Sequence, residues 1–180
     1  MNKTKILLFI PVFVLLGWTL SVQAMISGGT KLDLPVRGYD PRDILAGHYL
    51  SVEVDYVAFP SDCKKDKETK GSERVKDREY WQKQDAFFCA DEGRVSLGTP
   101  ENCQVFIKGY CQYGRFHDGV SRFYIPEKMS PALERAVRNK DNNPMLRLSV
   151  TPDGRAFPTD LILQGRPFKE LPVQALLSRG

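Results

Sequence analysis

His48-Tyr49-Leu50-Ser51-Val52-Glu53-Val54-Asp55-Tyr56-Val57-Ala58 decides the fold class, because polar and apolar residues alternate along it with a period of two. Tyr49, Ser51, Glu53 and Asp55 fall on one parity, and Leu50, Val52, Val54 and Tyr56 on the other. Successive side chains of a strand point to opposite faces, so this run predicts a strand with one buried face. Upstream, Lys31 to Val36 alternates more briefly and predicts a short edge strand. Downstream, strands are predicted at Ala86 to Ala90, Arg94 to Leu97, Gln104 to Tyr110 and Ser121 to Ile125, each bounded by Gly, Pro or Asp turn chemistry. Met145 to Val150 and Arg155 to Leu163 flank Thr151-Pro152-Asp153-Gly154 as a closing hairpin. A single helix is expected after Ser130 as N-cap, with Pro131 at its first helical position. Ser61 to Asp85 mixes acids and bases almost evenly and predicts a solvated loop with a helical turn near Val75 to Gln82. Together these elements predict a mainly β fold, an antiparallel sandwich or barrel-like domain with one short helix.

An N-terminal hydrophobic helix precedes that domain. Lys3 and Lys5 lead into an uncharged stretch from Ile6 to Ile26, about long enough to span a bilayer of roughly 30 Å. The same stretch ends on Val22-Gln23-Ala24 before Met25, which resembles a signal-peptidase site. Anchor and cleaved signal are both open from these residues, and both export the body. The expected division is therefore residues 1–26 as signal-anchor or transmembrane helix and residues 27–180 as an extracytoplasmic domain. The inner membrane, with the body in the periplasm, is the expected location, and a soluble periplasmic protein is the alternative.

Charge and cysteines narrow the partners. The formal charge of +4 comes from 26 basic and 22 acidic residues spread along the chain. A nucleic-acid binder gathers its basic residues on one face, so no nucleic-acid partner is expected. In an oxidising compartment Cys63, Cys89, Cys103 and Cys111 are expected to form two disulfides. Cys103 to Cys111 reads as one extended run, whose ends lie beyond disulfide reach; that removes the 103–111 pairing and leaves the other two open.

No catalytic residue is proposed from the sequence. It holds no G-x-S-x-G elbow, no C-x-x-C and no zinc-ligand spacing around His48 and His117. No metal, cofactor or small-molecule ligand is expected.

Three ordered blocks carry a resemblance. Asp40-Pro41-Arg42-Asp43-Ile44-Leu45-Ala46-Gly47-His48-Tyr49, Gly119 to Glu127, and Leu148 to Ala156 resemble the D-P-R-D-x-x-x-G-D-Y, G-I-x-R-Y-F-V-P-E and V-x-V-x-x-D-G-R-A blocks of the GDYXXLXY family of membrane-anchored proteins. The name-giving signature departs here, with His48 in place of its aspartate, Val52 of its leucine and Val54 of its last tyrosine. The resemblance implies an uncleaved anchor, because the family's hydrophobic helix lies just before the first block. It implies no activity. Asp40, Pro41, Arg42, Asp43, Gly47, His48, Tyr49, Arg122 and Glu127 become the candidate binding residues, on a loop and strand suited to recognition of an inner-membrane protein partner. The competing reading is that Asp-Pro-Arg-Asp only fixes a demanding turn. An envelope hydrolase with a signal-peptidase-like fold is the alternative function. That chemistry needs a serine near the end of the first turn, and residues 31–47 contain no Ser, Thr or Cys.

Overall fold

The computed structural model describes residues 3–38, 49–63, 83–98, 100 and 102–171. Among the described residues a helix, α1 (Lys3–Ser27), leads into ten strands: β1 (Thr30–Gly38), β2 (Tyr49–Val54), β3 (Gln84–Cys89), β4 (Arg94–Leu97), β5 (Phe106–Gln112), β6 (Arg115–His117), β7 (Arg122–Tyr124), β8 (Met145–Val150), β9 (Ala156–Leu163) and β10 (Arg166–Pro167). The second described helix, α2 (Ser130–Arg138), packs against β1 and β2. The strands form two antiparallel sheets, one ordered β10-β9-β8-β1-β2-β7 and the other β4-β3-β5-β6. The mainly β class, the antiparallel layers and the apolar leading helix agree with the sequence expectation.

The buried parity read around β2 holds, although the strand ends at Val54 and Tyr56–Ala58 forms a 3-10 turn. Leu50, Val52, Val54 and Tyr56 are all buried, and they join Phe88, Val95 and Ile107 of the other sheet in one core. Burial of such side chains contributes roughly 1.5–3 kcal/mol each, which is why the two sheets must face one another.

β1 is not an edge strand. Residues Thr30 to Pro35 pair with β8, and Val36 to Gly38 pair with β2, so β1 changes partner at Pro35. Asp55 donates its N–H to the Pro35 carbonyl at 2.8 Å. The reciprocal donor is the one proline lacks, and β2 ends at that level. Proline thus suggests an edge in the sequence while marking a hand-over in the structure.

Other boundaries shift for local reasons. Ser130 is helical rather than a cap: a 3-10 turn, Glu127–Met129, runs straight into α2, and the Ser130 hydroxyl donates to Glu134 Oε1 at 2.9 Å. β5 begins only at Phe106, so Cys103 stands outside the strand. β6 and β10 were not expected as strands. Each follows a two-residue turn, Tyr113-Gly114 or Gln164-Gly165, with both residues at positive φ. The helical turn expected at 75–82 lies outside the described residues.

Of the two disulfide pairings left open, the structure holds Cys63–Cys111 and Cys89–Cys103, with Cα separations of 5.3 and 5.8 Å. Both close on the four-stranded sheet.

α1 meets the domain through a short junction. Gly28 donates its N–H to the Ala24 carbonyl at 2.9 Å, and Ser27 Oγ donates to the same oxygen at 3.2 Å. Ser149 Oγ of β8 donates to the Ile26 carbonyl, and Arg155 Nη2 lies 3.2 Å from Met25 Sδ. Gly29 lies so close to β8 that a Cβ there would meet the Ser149 hydroxyl and the Val150 carbonyl.

Candidate functional site

The predicted binding residues divide sharply. Asp40, Pro41, Arg42, Asp43, Gly47 and His48 lie outside the described residues. Tyr49 opens β2, where it is registered with Tyr124 of β7. Arg122 is exposed on β7 opposite Ser51, and Glu127 is exposed in the 3-10 turn before α2. The strand that leaves the first block therefore pairs with the strand of the second. The third block supplies the second half of β8, its turn and the start of β9. Tyr49 of the first block and the strands of the other two belong to the six-stranded sheet, while the cysteines close the other one.

The turn of the third block joins the layers. Lys108 of β5 donates its N–H to the Gly154 carbonyl at 2.8 Å, across the two sheets. Gly154 has φ +82°, and a Cβ there would come within 2.5 Å of the Phe106 ring. Glycine is required twice over, by backbone conformation and by close approach. Asp153 accepts from Thr151 Oγ1 and from Arg155 Nε, the latter at 2.7 Å. The Thr151 hydroxyl bond is the main cause holding the Asp153 carboxyl below its usual range. The Asp-Gly-Arg of the block is thus a structural lock at the foot of α1.

A concave site lies at the seam between the sheets. The chain crosses from one to the other there twice, after β2 through Tyr56–Ala58 and after β6 through Asp118 to Ser121. A cavity of about 340 Å³ opens between these crossings. Val52, Val54, Phe116 and Val120 give its apolar wall, Tyr56 and Tyr110 its aromatic one. A second hollow of about 210 Å³ adjoins it along Val54, Tyr56 and Phe116.

Its polar groups are organised around Asp118. The buried Tyr56 hydroxyl donates to Asp118 Oδ2 at 2.8 Å, and the Val120 N–H donates to Oδ1 at 2.9 Å. Burial pushes the Asp118 carboxyl up; the Tyr56 bond, the Val120 bond and the His117 ring pull the other way. Burial also lifts the Tyr56 phenol well above its usual range, with the Asp118 charge and bond adding to it. Tyr56 packs edge-on against Phe88 and Phe116, with centroids 5.0 and 4.9 Å away, which fixes where its hydroxyl points. His117 stacks on Tyr110 at 5.1 Å and 20° between planes. The Lys83 ammonium also lies over the Tyr110 ring, 4.5 Å from its centre. His117 Nε2 is buried and has no hydrogen-bond partner among the described residues. Glu53 stands exposed at the rim.

The sequence presents His117-Asp118-Gly119 only as punctuation between strands. Nothing in its spacing places it beside Val52 to Tyr56, because sheet topology brings the two segments together. Tyr56, which continues the buried parity just beyond β2, was the available signal, since a buried hydroxyl requires a partner.

All four cysteines are paired, which leaves no free thiol for redox work. Cys89, Asp91 and Cys103 sit at ligand-like spacing. The two sulfurs are bonded to each other, and Asp91 accepts the Gln104 N–H at 2.7 Å.

No curated protein and no solved structure gives a significant match to the chain. The profile described as GDYXXLXY protein matches residues 11–161, most of the 180-residue sequence, beginning inside α1 and ending in β9. With that match running across all three sequence blocks, the chain belongs to the GDYXXLXY family.

Proposed function

We propose that this protein is a single-pass, membrane-anchored extracytoplasmic domain of the cell envelope, non-enzymatic, which recognises an inner-membrane protein partner. The observation that carries the reading is α1. Its 25 residues rise about 37 Å at helical spacing, enough for a hydrocarbon core of about 30 Å. Phe13, Val14, Leu15 and Leu16 are 70, 61, 66 and 52% exposed, and four consecutive residues cover every side of a helix. An apolar surface all round a helix costs heavily in water and is suited to lipid.

Retention of the helix has its own support. The Ala24 carbonyl, the scissile one if a signal peptidase acted, accepts two hydrogen bonds within a continuous helix. Met25 and Ile26 on its other side are held by Arg155 and Ser149 of the folded domain. Peptidases bind extended chain, so this geometry favours an uncleaved segment. The family match also begins inside the helix, at residue 11. Two disulfides suit an oxidising compartment, and Lys3 and Lys5 suit a cytoplasmic N-terminus.

Alkaline carbonate extraction and mass spectrometry of the mature chain test the anchor. The expected result is an intact N-terminus in the membrane pellet. A mature chain starting at Met25 and released to the supernatant would overturn it. Partner binding is tested by crosslinking in intact membranes, with probes placed at Arg122 and Glu127. A specific inner-membrane adduct is expected; a clean blank at both positions, beside turnover in a hydrolase screen, would sink that part.

A further inference from the structure

We infer that the seam cavity is a binding site for a small organic amine with an apolar body. The inference goes beyond the anchoring reading and uses none of its residues.

The inference starts from the hydrogen bonds that the cavity leaves unmade. Asp118 spends one oxygen on Tyr56 and the other on a backbone N–H, and is held rigidly by both. His117 Nε2, beside it in the chain, is buried with no partner among the described residues. An unpartnered buried polar atom is destabilising, so such a group persists where something else completes it. In the tautomer protonated on Nδ1, Nε2 is an acceptor and calls for a donor.

Charge then selects the kind of donor. Among the described residues, the carboxylates lining the cavity are Asp118 and Glu53, and no lysine or arginine lines it. An anion would meet two like charges there, opposed among the described lining residues only by a protonated His117; an ammonium would meet two opposite ones. Asp118 keeps acceptor capacity on both oxygens after its two bonds, because an ionised carboxylate offers about four lone-pair sites. Lys83 offsets part of this attraction from beyond Tyr110, but it does not line the cavity. Val52, Val54, Phe116 and Val120 supply an apolar wall for the rest of the ligand. A volume of about 340 Å³ stands at the small end of ligand sites and fits a compact aryl-alkyl or short alkyl amine.

The test uses the full chain in detergent, labelled with nitrogen-15 on histidine. Only two histidines are present, so the His117 ring signals are assignable by comparison with His117→Phe. Phenethylamine is the probe. 3-Phenylpropionate is its matched anion and 2-phenylethanol its matched neutral donor. The amine is expected to shift the His117 Nε2 resonance saturably and to bind at least about tenfold tighter than the anion. His117→Phe keeps a ring to stack on Tyr110 and removes Nε2, and it should weaken the amine by about tenfold with an unchanged near-ultraviolet spectrum. Glu53→Gln, at the exposed rim, provides a second variant that does not endanger folding and should weaken the amine but not the alcohol. Equal binding of amine and anion, or an Nε2 signal unmoved by all three probes, would overturn the proposal. The latter result would assign Nε2 to an ordered water. Carbonate extraction reads only the anchor, so either conclusion can fail without the other.

Discussion

Removing the Tyr56 hydroxyl leaves Asp118 Oδ2 without its donor in a place where burial already disfavours the charge. Tyr56→Phe is therefore expected to destabilise the domain by about 1–3 kcal/mol at neutral pH, measured by urea denaturation. The sign of its pH dependence follows from the raised carboxyl. A carboxyl lifted in the folded state favours folding most when protonated, and that advantage is lost as pH rises through the folded value. Without the phenol the lift increases, so the Tyr56→Phe penalty should shrink as pH falls through the carboxylate range. A penalty that stays constant would show that Asp118 does not feel the bond. Asp33 behaves oppositely. Arg147 binds it through two bonds of 2.8 and 2.7 Å, directly across β1 and β8, and the hydrogen bonding holds its carboxyl down. The stabilisation is present above the ordinary aspartate range and lost as pH falls through the lowered value. Both side chains are about one-third exposed, so a double-mutant cycle with Asp33→Asn and Arg147→Leu should return only about 0.2–1 kcal/mol, vanishing in acid.

At the scale of elements, β2 was legible because its alternation has a physical cause that acts residue by residue: one face meets the core. β6 and β10 were not, because their two-residue turns place Tyr113 and Gln164 at φ +53° in positions where sequence reasoning looks for Asn or Asp. β1 misled through Pro35, whose missing donor fits an edge strand and equally fits the point where one strand leaves off. The seam cavity was invisible for a different reason: Tyr56 and Asp118 are 62 residues apart and meet only once two sheets are stacked. The third block, by contrast, was recognised as a hairpin without its purpose. Gly154 and Gly165 separate the two demands made of its glycine. Both have positive φ, but only Gly154 has the Phe106 ring within 2.5 Å of a new Cβ, while nothing lies within 4 Å at Gly165. Gly165→Ala should cost about 1–2 kcal/mol for conformation alone. Gly154→Ala should cost about 1–3 kcal/mol more, because Phe106 must move. Equal midpoints in thermal unfolding would refute the close-approach argument.

Across the whole molecule, the two sheets are stabilised by different means. The six-stranded sheet carries the strands of the second and third family blocks, and the four-stranded sheet is closed by both disulfides. Spacing alone removed one pairing of three, since the final choice depends on where β3 and β5 lie side by side. The 48-residue and 14-residue separations make the two bonds unequal. Loop-closure entropy assigns about 4 kcal/mol to Cys63–Cys111 and about 3 to Cys89–Cys103. The paired serine variants, unfolded in urea, should rank in that order, and the reverse order would locate the stabilisation in native packing instead. Gly28 and Gly29 stand alone between α1 and β1. Two residues span at most about 7 Å, and Ser149 and Arg155 clamp the end of α1 as well. In the anchored reading this leaves no leash: the domain has almost no search volume of its own above the bilayer. A partner would have to arrive by lateral diffusion in the same plane, or stand tall enough to touch a domain that cannot reach out.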